Sequence, residues 1–200
     1  MTTPSAALDP HAAQVLDYWF GPPDGPEAGT MRKIWFAGGE AVDDAVRERF
    51  AALHERAVAG ELDAWKHDAL GCLALVIVLD QFSRNLYRGT ARAFAADPQA
   101  LALATWALAQ GFDRVVSPMQ RWFFYLPFEH AEDLAHQQRC LALFEQLPPE
   151  GQREIAVDYA RKHLEIIERF GRFPHRNDML GRPSTAEEAQ WLADGGTRFG

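Results

Sequence analysis

Three short segments of the chain carry more polar chemistry than a helix end needs. In DQFSRNLYRG, from Asp80 to Gly89, Asp80 stands four residues before Arg84 and Arg84 four before Arg88, so a helix puts all three on one face. Gln81 and Asn85 add amide groups that both donate and accept. This segment continues from the most apolar stretch of the chain, where a guanidinium is costly unless a carboxylate or a ligand anion meets it. In GRFPHRN, from Gly171 to Asn177, the donors Arg172, His175, Arg176 and Asn177 crowd around Pro174 beside Phe170 and Phe173. Donors grouped in this way suit a carboxylate or a phosphate. In PFEHAED, His130 and Glu132 follow Pro127 and are expected near the N-terminus of a fresh helix, whose free amides also favour an anion. His130 is the first candidate for proton transfer, because an imidazole beside a carboxylate titrates near neutrality.

Each segment also has a plainer reading. Asp80 and Arg84 suit an internal ion pair that fixes helix packing. The cations of GRFPHRN suit the carbonyls left open at a helix end. A lone His130 suits a structural hydrogen bond. His163 falls on an apolar face with Tyr159 and Ile166 and reads as a core residue, while His11, His54 and His67 have no special setting.

Motif chemistry is otherwise absent. The chain contains no G-x-x-x-x-G-K, G-x-G-x-x-G or G-x-S-x-G, which leaves phosphate-loop, dinucleotide and nucleophile-elbow chemistry unsupported. His54-Glu55 opens like a zincin motif but lacks the second His. The nearest approach to a di-iron pattern is Asp133-x-x-His136 beside Glu129, His130 and Glu132, and acids and histidines on a helix face are usually solvated. We expect neither a metal nor a cofactor.

The elements that must position these groups read as successive helices. Asp9-Pro10, Asp97-Pro98 and Ser117-Pro118 each pair a capping residue with a proline at the first helical position. Val15, Leu16, Trp19 and Phe20 share a face before Gly21-Pro22-Pro23 stops the first helix. From Glu40, Val42, Val46, Phe50, Leu53 and Ala57 recur at helical spacing up to Gly60. Trp65 to Leu79 is apolar on all sides, which predicts a central buried helix. Leu101, Trp106 and Leu108 precede a stop at Gly111, and Trp122 to Tyr125 lead to Pro127, which is expected to kink or end its helix. The next helix is predicted over residues 128–146, ended by Pro148-Pro149; Ile155, Tyr159, Ile166 and Phe170 mark another before Gly171. Ser184-Thr185-Ala186-Glu187 matches a capping box ahead of Trp191. No hairpin of strands appears. The expected fold class is all-α: about eight or nine helices in stacked antiparallel hairpins, as a single domain over residues 1–200.

Bulk composition narrows the partners. Lys plus Arg total 20 against 28 Asp plus Glu, a net charge of −8 that repels nucleic acid and anionic lipid. Of the 20 basic residues, 17 are Arg, the side chain suited to bidentate anion binding, although Arg-rich codon usage explains the bias equally well. The longest uncharged apolar run, Ala69–Leu79, is eleven residues, short of the roughly 20 that cross a bilayer. The first twenty residues carry Asp9, His11 and Asp17 and no basic-then-apolar leader, so a cytoplasmic location is expected. Cys72 and Cys140 stand far apart and read as reduced, buried thiols.

DQFSRNLYRG, AFAADPQAL, YLPFEHAED and HLEIIERFGRFPHRNDMLGRPSTAEE, in that order, resemble a bacterial all-helical family, domain of unknown function 924, over about residues 15–192. The resemblance implies a tetratricopeptide-like superhelix and brings no established reaction. Its motif positions here are Asp80, Gln81, Arg84, Asn85, Arg88, Gly89, Pro127, His130, Glu132, Arg172, Pro174, His175, Arg176 and Asn177. The family often has Pro where this chain has Ser83 and Ser where it has Ala131, so no hydroxyl role is assigned beside His130.

Three functions are consistent with these residues. In the first, a pocket binds a small anionic molecule through Arg84, Arg172 and Arg176, supported by Asp80, Asn85, Arg88 and Asn177, with His130, Glu132 and His175 as acid/base candidates. In the second, the helical stack presents a groove to a peptide or protein. In the third, the motifs are salt bridges that hold helix junctions.

Overall fold

The structure, a computed structural model, describes residues 7–36, 39–149 and 152–199. Its principal helices are α1 (Pro10–Phe20), α2 (Glu40–Val58), α3 (Ala69–Leu86), α4 (Asp97–Ala109), α5 (Pro118–Glu129), α6 (Leu134–Glu145), α7 (Arg153–Phe170) and α8 (Ala186–Ala193). No strand occurs among the described residues, so the chain is all-helical.

Capping chemistry accounts for several starts and corrects others. Asp9 accepts the His11 amide at 2.8 Å ahead of Pro10. Ser117 and Gln120 form a capping box ahead of α5. At Asp97-Pro98 the outcome differs: Asp97 is the first residue of α4, Ala96 occupies the cap, and the carboxylate makes no capping bond. A guanidinium has taken it instead, because a bidentate charged pair outcompetes a single amide. The last capping box is shifted by one residue, joining Thr185 to Glu188.

The centre of the molecule is α3. Its residues from Cys72 to Phe82 are buried, among them Leu73, Val76, Ile77 and Val78. This helix is long and apolar enough to cross a membrane, yet most of it lies inside the protein, as a core helix must. Helix α1 packs on it, together with α4 and α5, and α2 packs along its second half. Consecutive helices α4 and α5, α5 and α6, and α6 and α7 also pack against each other. Between Val78 and Phe82, α3 widens into a π-helical turn that carries Asp80 and Gln81. Such turns re-aim side chains and recur at functional sites.

Two details around the third motif depart from expectation. Helix α5 continues through Pro127 to Glu129, and α6 begins only at Leu134, capped by Asp133. His130 therefore closes the C-terminal end of α5, where carbonyls rather than amides are exposed, and Glu132 lies in the turn. On α7 the buried face is Ala156, Ala160, His163, Ile166 and Ile167; Ile155 and Tyr159 face outward.

Candidate functional site

The π-turn, the start of α4, the end of α5 and the GRFPHRN loop meet at one place. His130 Nδ1 lies 2.7 Å from Asp80 Oδ1, and Arg84 Nη1 lies 3.2 Å from the same oxygen. Gln81 Nε2 donates to the other oxygen, Asp80 Oδ2, at 2.5 Å. Arg84 also donates to Asp97 through both terminal nitrogens, at 2.9 and 3.1 Å, and to the Asp80 carbonyl at 2.8 Å. Arg176 Nη1 donates to the His130 carbonyl at 3.0 Å and comes within 3.8 Å of Asp97. Phe94 and Phe173 flank the Arg176 guanidinium at 4.7 and 4.4 Å, so its flat faces rest on aromatic rings.

Electrostatics assign a state to each group. Burial works against charge on Asp80, but Arg84, His130 and Gln81 more than offset it and hold the carboxyl well below the usual range. Asp80 is therefore a carboxylate, and His130 donates its Nδ1 proton to it, leaving the Nε2 lone pair for chemistry. Burial, reinforced by the Arg84 charge, lowers His130 below its ordinary value despite Asp80, so the ring is neutral near pH 7. An oriented neutral imidazole is a general base in waiting. Burial also lowers Arg176, with repulsion from Arg84 behind it, to about 10. The Arg176 Nε is buried and has no hydrogen-bond partner.

Behind this cluster lies Glu129, buried next to the π-turn. Burial and the negative charge of Asp80 raise its pKa to about 8, so the side chain is protonated at neutrality. Its Oε2 has no partner, while Oε1 lies 3.4 Å from His163 Nδ1. That same Nδ1 donates to the Tyr159 carbonyl at 2.9 Å, and burial drives His163 well below its ordinary pKa.

The remaining candidates separate from this centre. Asn85 and Arg88 turn to the other side of α3 and both bind Asp43, at 2.8 Å from Asn85 and 2.6 Å from Arg88 Nε. Asp80 and Arg84 keep their four-residue pairing, but the helix ends at Leu86, so Arg88 falls beyond its last turn and leaves the shared face. Arg172 pairs with Glu188 at 2.6 and 2.8 Å. Asn177 donates to Ser184 at 3.0 Å and to Glu188 at 3.3 Å. Glu132 does not orient an imidazole; it accepts the Phe173 amide at 2.8 Å and two nitrogens of Arg182, at 2.5 and 2.9 Å, tying the loop to the α5–α6 turn. Both ring nitrogens of His175 are buried without partners, and burial, with help from the Arg176 charge, lowers its pKa to about 4.

Sequence reasoning passed over Asp97, Glu129, His163 and Arg182. Asp97 was legible only as a cap and His163 only as a core residue. Glu129 was visible as the residue beside His130, but its burial was not. The described clefts lie elsewhere. One of about 390 Å³ runs beside α1, lined mainly by apolar groups such as Leu16, Phe20, Trp35 and Met119. Another of about 250 Å³ lies between α7 and α8. Convergence of ionisable groups, rather than open volume, marks the site. Among the described residues no group of three or more His, Cys, Asp or Glu side chains is arranged to hold a metal ion.

Comparison with known proteins supplies the family. Residues 15–196 match the family described as "Bacterial protein of unknown function (DUF924)", and the chain belongs to it. A solved structure titled "Structure of Protein of Unknown Function ATU0120 from Agrobacterium tumefaciens" is similar, with 43% identity and a TM-score of 0.81, over 92% of this chain and 98% of that one. No curated protein matches the chain.

Proposed function

We propose that this member of the DUF924 family binds a small anionic molecule, a carboxylate or a phosphate, at the meeting point of Arg84 and Arg176, with His130 as the acid/base group. The observation that carries the reading is Arg176: a buried guanidinium on an aromatic bed, with Nε unpartnered and its nearest carboxylate at 3.8 Å. A buried guanidinium with that much hydrogen-bonding capacity unspent favours an added anion. Asp80 orients His130, and Arg176 holds the backbone of that same residue, so base and anion anchor form one unit. An anion that replaced Asp97 on Arg84 and Arg176 would sit on the two guanidiniums that flank the His130–Asp80 pair. Of the groups first considered, Arg172, Arg88, Asn85 and Asn177 act here as supports. Cytoplasmic action on a soluble metabolite belongs to this reading, as does a tetratricopeptide-like stack, with which the pairing of consecutive helices is compatible.

The competing reading is a purely structural ion network. It is favoured by the near balance of Arg84 and Arg176 against Asp80 and Asp97. Thermal unfolding in the presence of inorganic phosphate and of succinate separates the two. At ten times the dissociation constant, a ligand of the folded state adds about 1.4 kcal/mol, or roughly 3–6 °C for a chain of this size. The anion site predicts such a rise in the wild type and its loss in Arg176→Met. No rise with either anion, or an equal rise in the variant, would leave the network as structure alone.

A further inference from the structure

Around Phe173, the ring on which the Arg176 guanidinium rests, lies a set of rings with a guest already in place. The guest is Phe199, whose ring stacks on His163 at a centroid distance of 3.5 Å and an interplanar angle of 16°. Phe173 and His175 complete the surround, with their ring centroids 6.4 and 6.0 Å from that of Phe199. Phe199 reaches this place from a stretch, residues 196–199, without regular secondary structure, and it remains half-buried. Ring contacts hold it, so another ring can take its place.

Phe199 fits the shape of the surround but not its polarity. The two ring nitrogens of His175 are buried and unsatisfied with the phenyl in place, and the Phe199 backbone approaches that imidazole without completing a hydrogen bond of ordinary geometry. Phe173 is the wall shared with the anion site, since the Arg176 guanidinium rests 4.4 Å from the same ring. We propose that Phe199 is a resident plug in a ring-binding cage, and that the molecule taken by the cluster is an anion carrying a planar heteroaromatic ring, which displaces Phe199, lies on His163 and offers its polar edge to His175. This rests on the anion site proposed above and names its ligand class. A short flexible chain of two or three bonds between ring and acid is the form expected to span the shared wall. Stacking on an uncharged imidazole suits a neutral heteroaryl ring.

Isothermal titration of the full chain with 3-(3-pyridyl)propionate tests it, beside 3-cyclohexylpropionate, 3-(3-pyridyl)propanamide and inorganic phosphate. Phe199→Ala, checked for unchanged helicity, is expected to bind the pyridyl acid at least tenfold more tightly than the wild type and tenfold more tightly than the cyclohexyl acid. Phe199→Leu, which keeps apolar bulk in the cage, is expected to fall between the two proteins. Equal affinity of wild type and Phe199→Ala for the pyridyl acid, or no preference for the aromatic ring, overturns the cage; if phosphate still binds, the anion site survives that result. If the amide binds Phe199→Ala as well as the acid does, the anionic part of the proposal is overturned and the ring cage stands.

Discussion

The Asp80 cluster and the loop from Arg172 to Glu188 both abound in charged side chains, yet they spend them differently. In the loop, the two outer guanidiniums close on neighbouring acids and amides, Arg172 on Glu188 and Arg182 on Glu132 and Asn177, while Arg176 alone turns into the cluster. In the cluster, Arg176 Nε and Glu129 Oε2 stay unpaired although both are buried. Polar groups in a low-dielectric interior are costly without partners, so a surplus of them marks a place where something other than packing has set the residues. Saturated pairs near the surface ask for no such explanation.

Asp80→Asn is the strongest way to break this comparison. It removes the charge that His130, Arg84 and Gln81 converge on, and loss of one partner from a buried pair costs about 3–5 kcal/mol. Urea denaturation should show that loss; a change below about 1 kcal/mol, typical of exposed pairs, would place the cluster in the same class as the loop.

Glu129→Gln sharpens it next, through pH. The folded pKa of Glu129, about 8, lies above its ordinary 4.5, so its contribution is complete below pH 4.5 and is lost as pH rises through 8. Wild-type stability should therefore fall progressively between pH 4.5 and 8. The glutamine variant, which cannot ionise, should hold its stability there, with a gap on the order of a few kcal/mol at pH 9. Parallel profiles of the two proteins between pH 4.5 and 8 would count against a protonated, buried Glu129.

The loop predicts a smaller effect on the opposite limb. Hydrogen bonding from Arg172 is the chief cause that holds Glu188 at about 2, below its ordinary 4.5, with burial opposing it. That contribution is present above pH 4.5 and is lost as pH falls toward 2. Glu188→Gln should flatten the acid limb and cost about 1 kcal/mol at neutrality, because the carboxylate also accepts the Thr185 amide in the capping box. An unchanged acid limb would mean that the pair is idle.

Much of the architecture was legible because it rests on local rules. The face of α2 from Val46 to Ala57 follows helical periodicity: Val46, Phe50, Leu53 and Ala57, which the spacing selects, are buried, and His54 joins them. The caps at Asp9 and Ser117 follow from side-chain reach alone. The misses share a cause: a local rule met a stronger remote partner or a backbone irregularity. Asp97 left its cap for Arg84, α5 ran on past Pro127 with its end buried, and the end of α3 at Leu86 took Arg88 off the face that Asp80 and Arg84 share.

The candidate site was legible to a lesser extent. Asp80, Arg84, His130 and Arg176 were all recognisable as residues out of keeping with quiet helix ends, since their types and neighbours are written in the chain. Which of the polar residues would meet was not. Asn85 lies one residue from Arg84 and joins a different acid; Glu129, one residue from His130, carries the most displaced carboxyl of the cluster in the upward direction. Sequence alone determined helices, their apolar faces and the supply of ionisable groups, because these depend on interactions within one or two turns. The tertiary structure decided pairing, burial and protonation, because those depend on the dielectric and the charges brought together from segments that lie tens of residues apart.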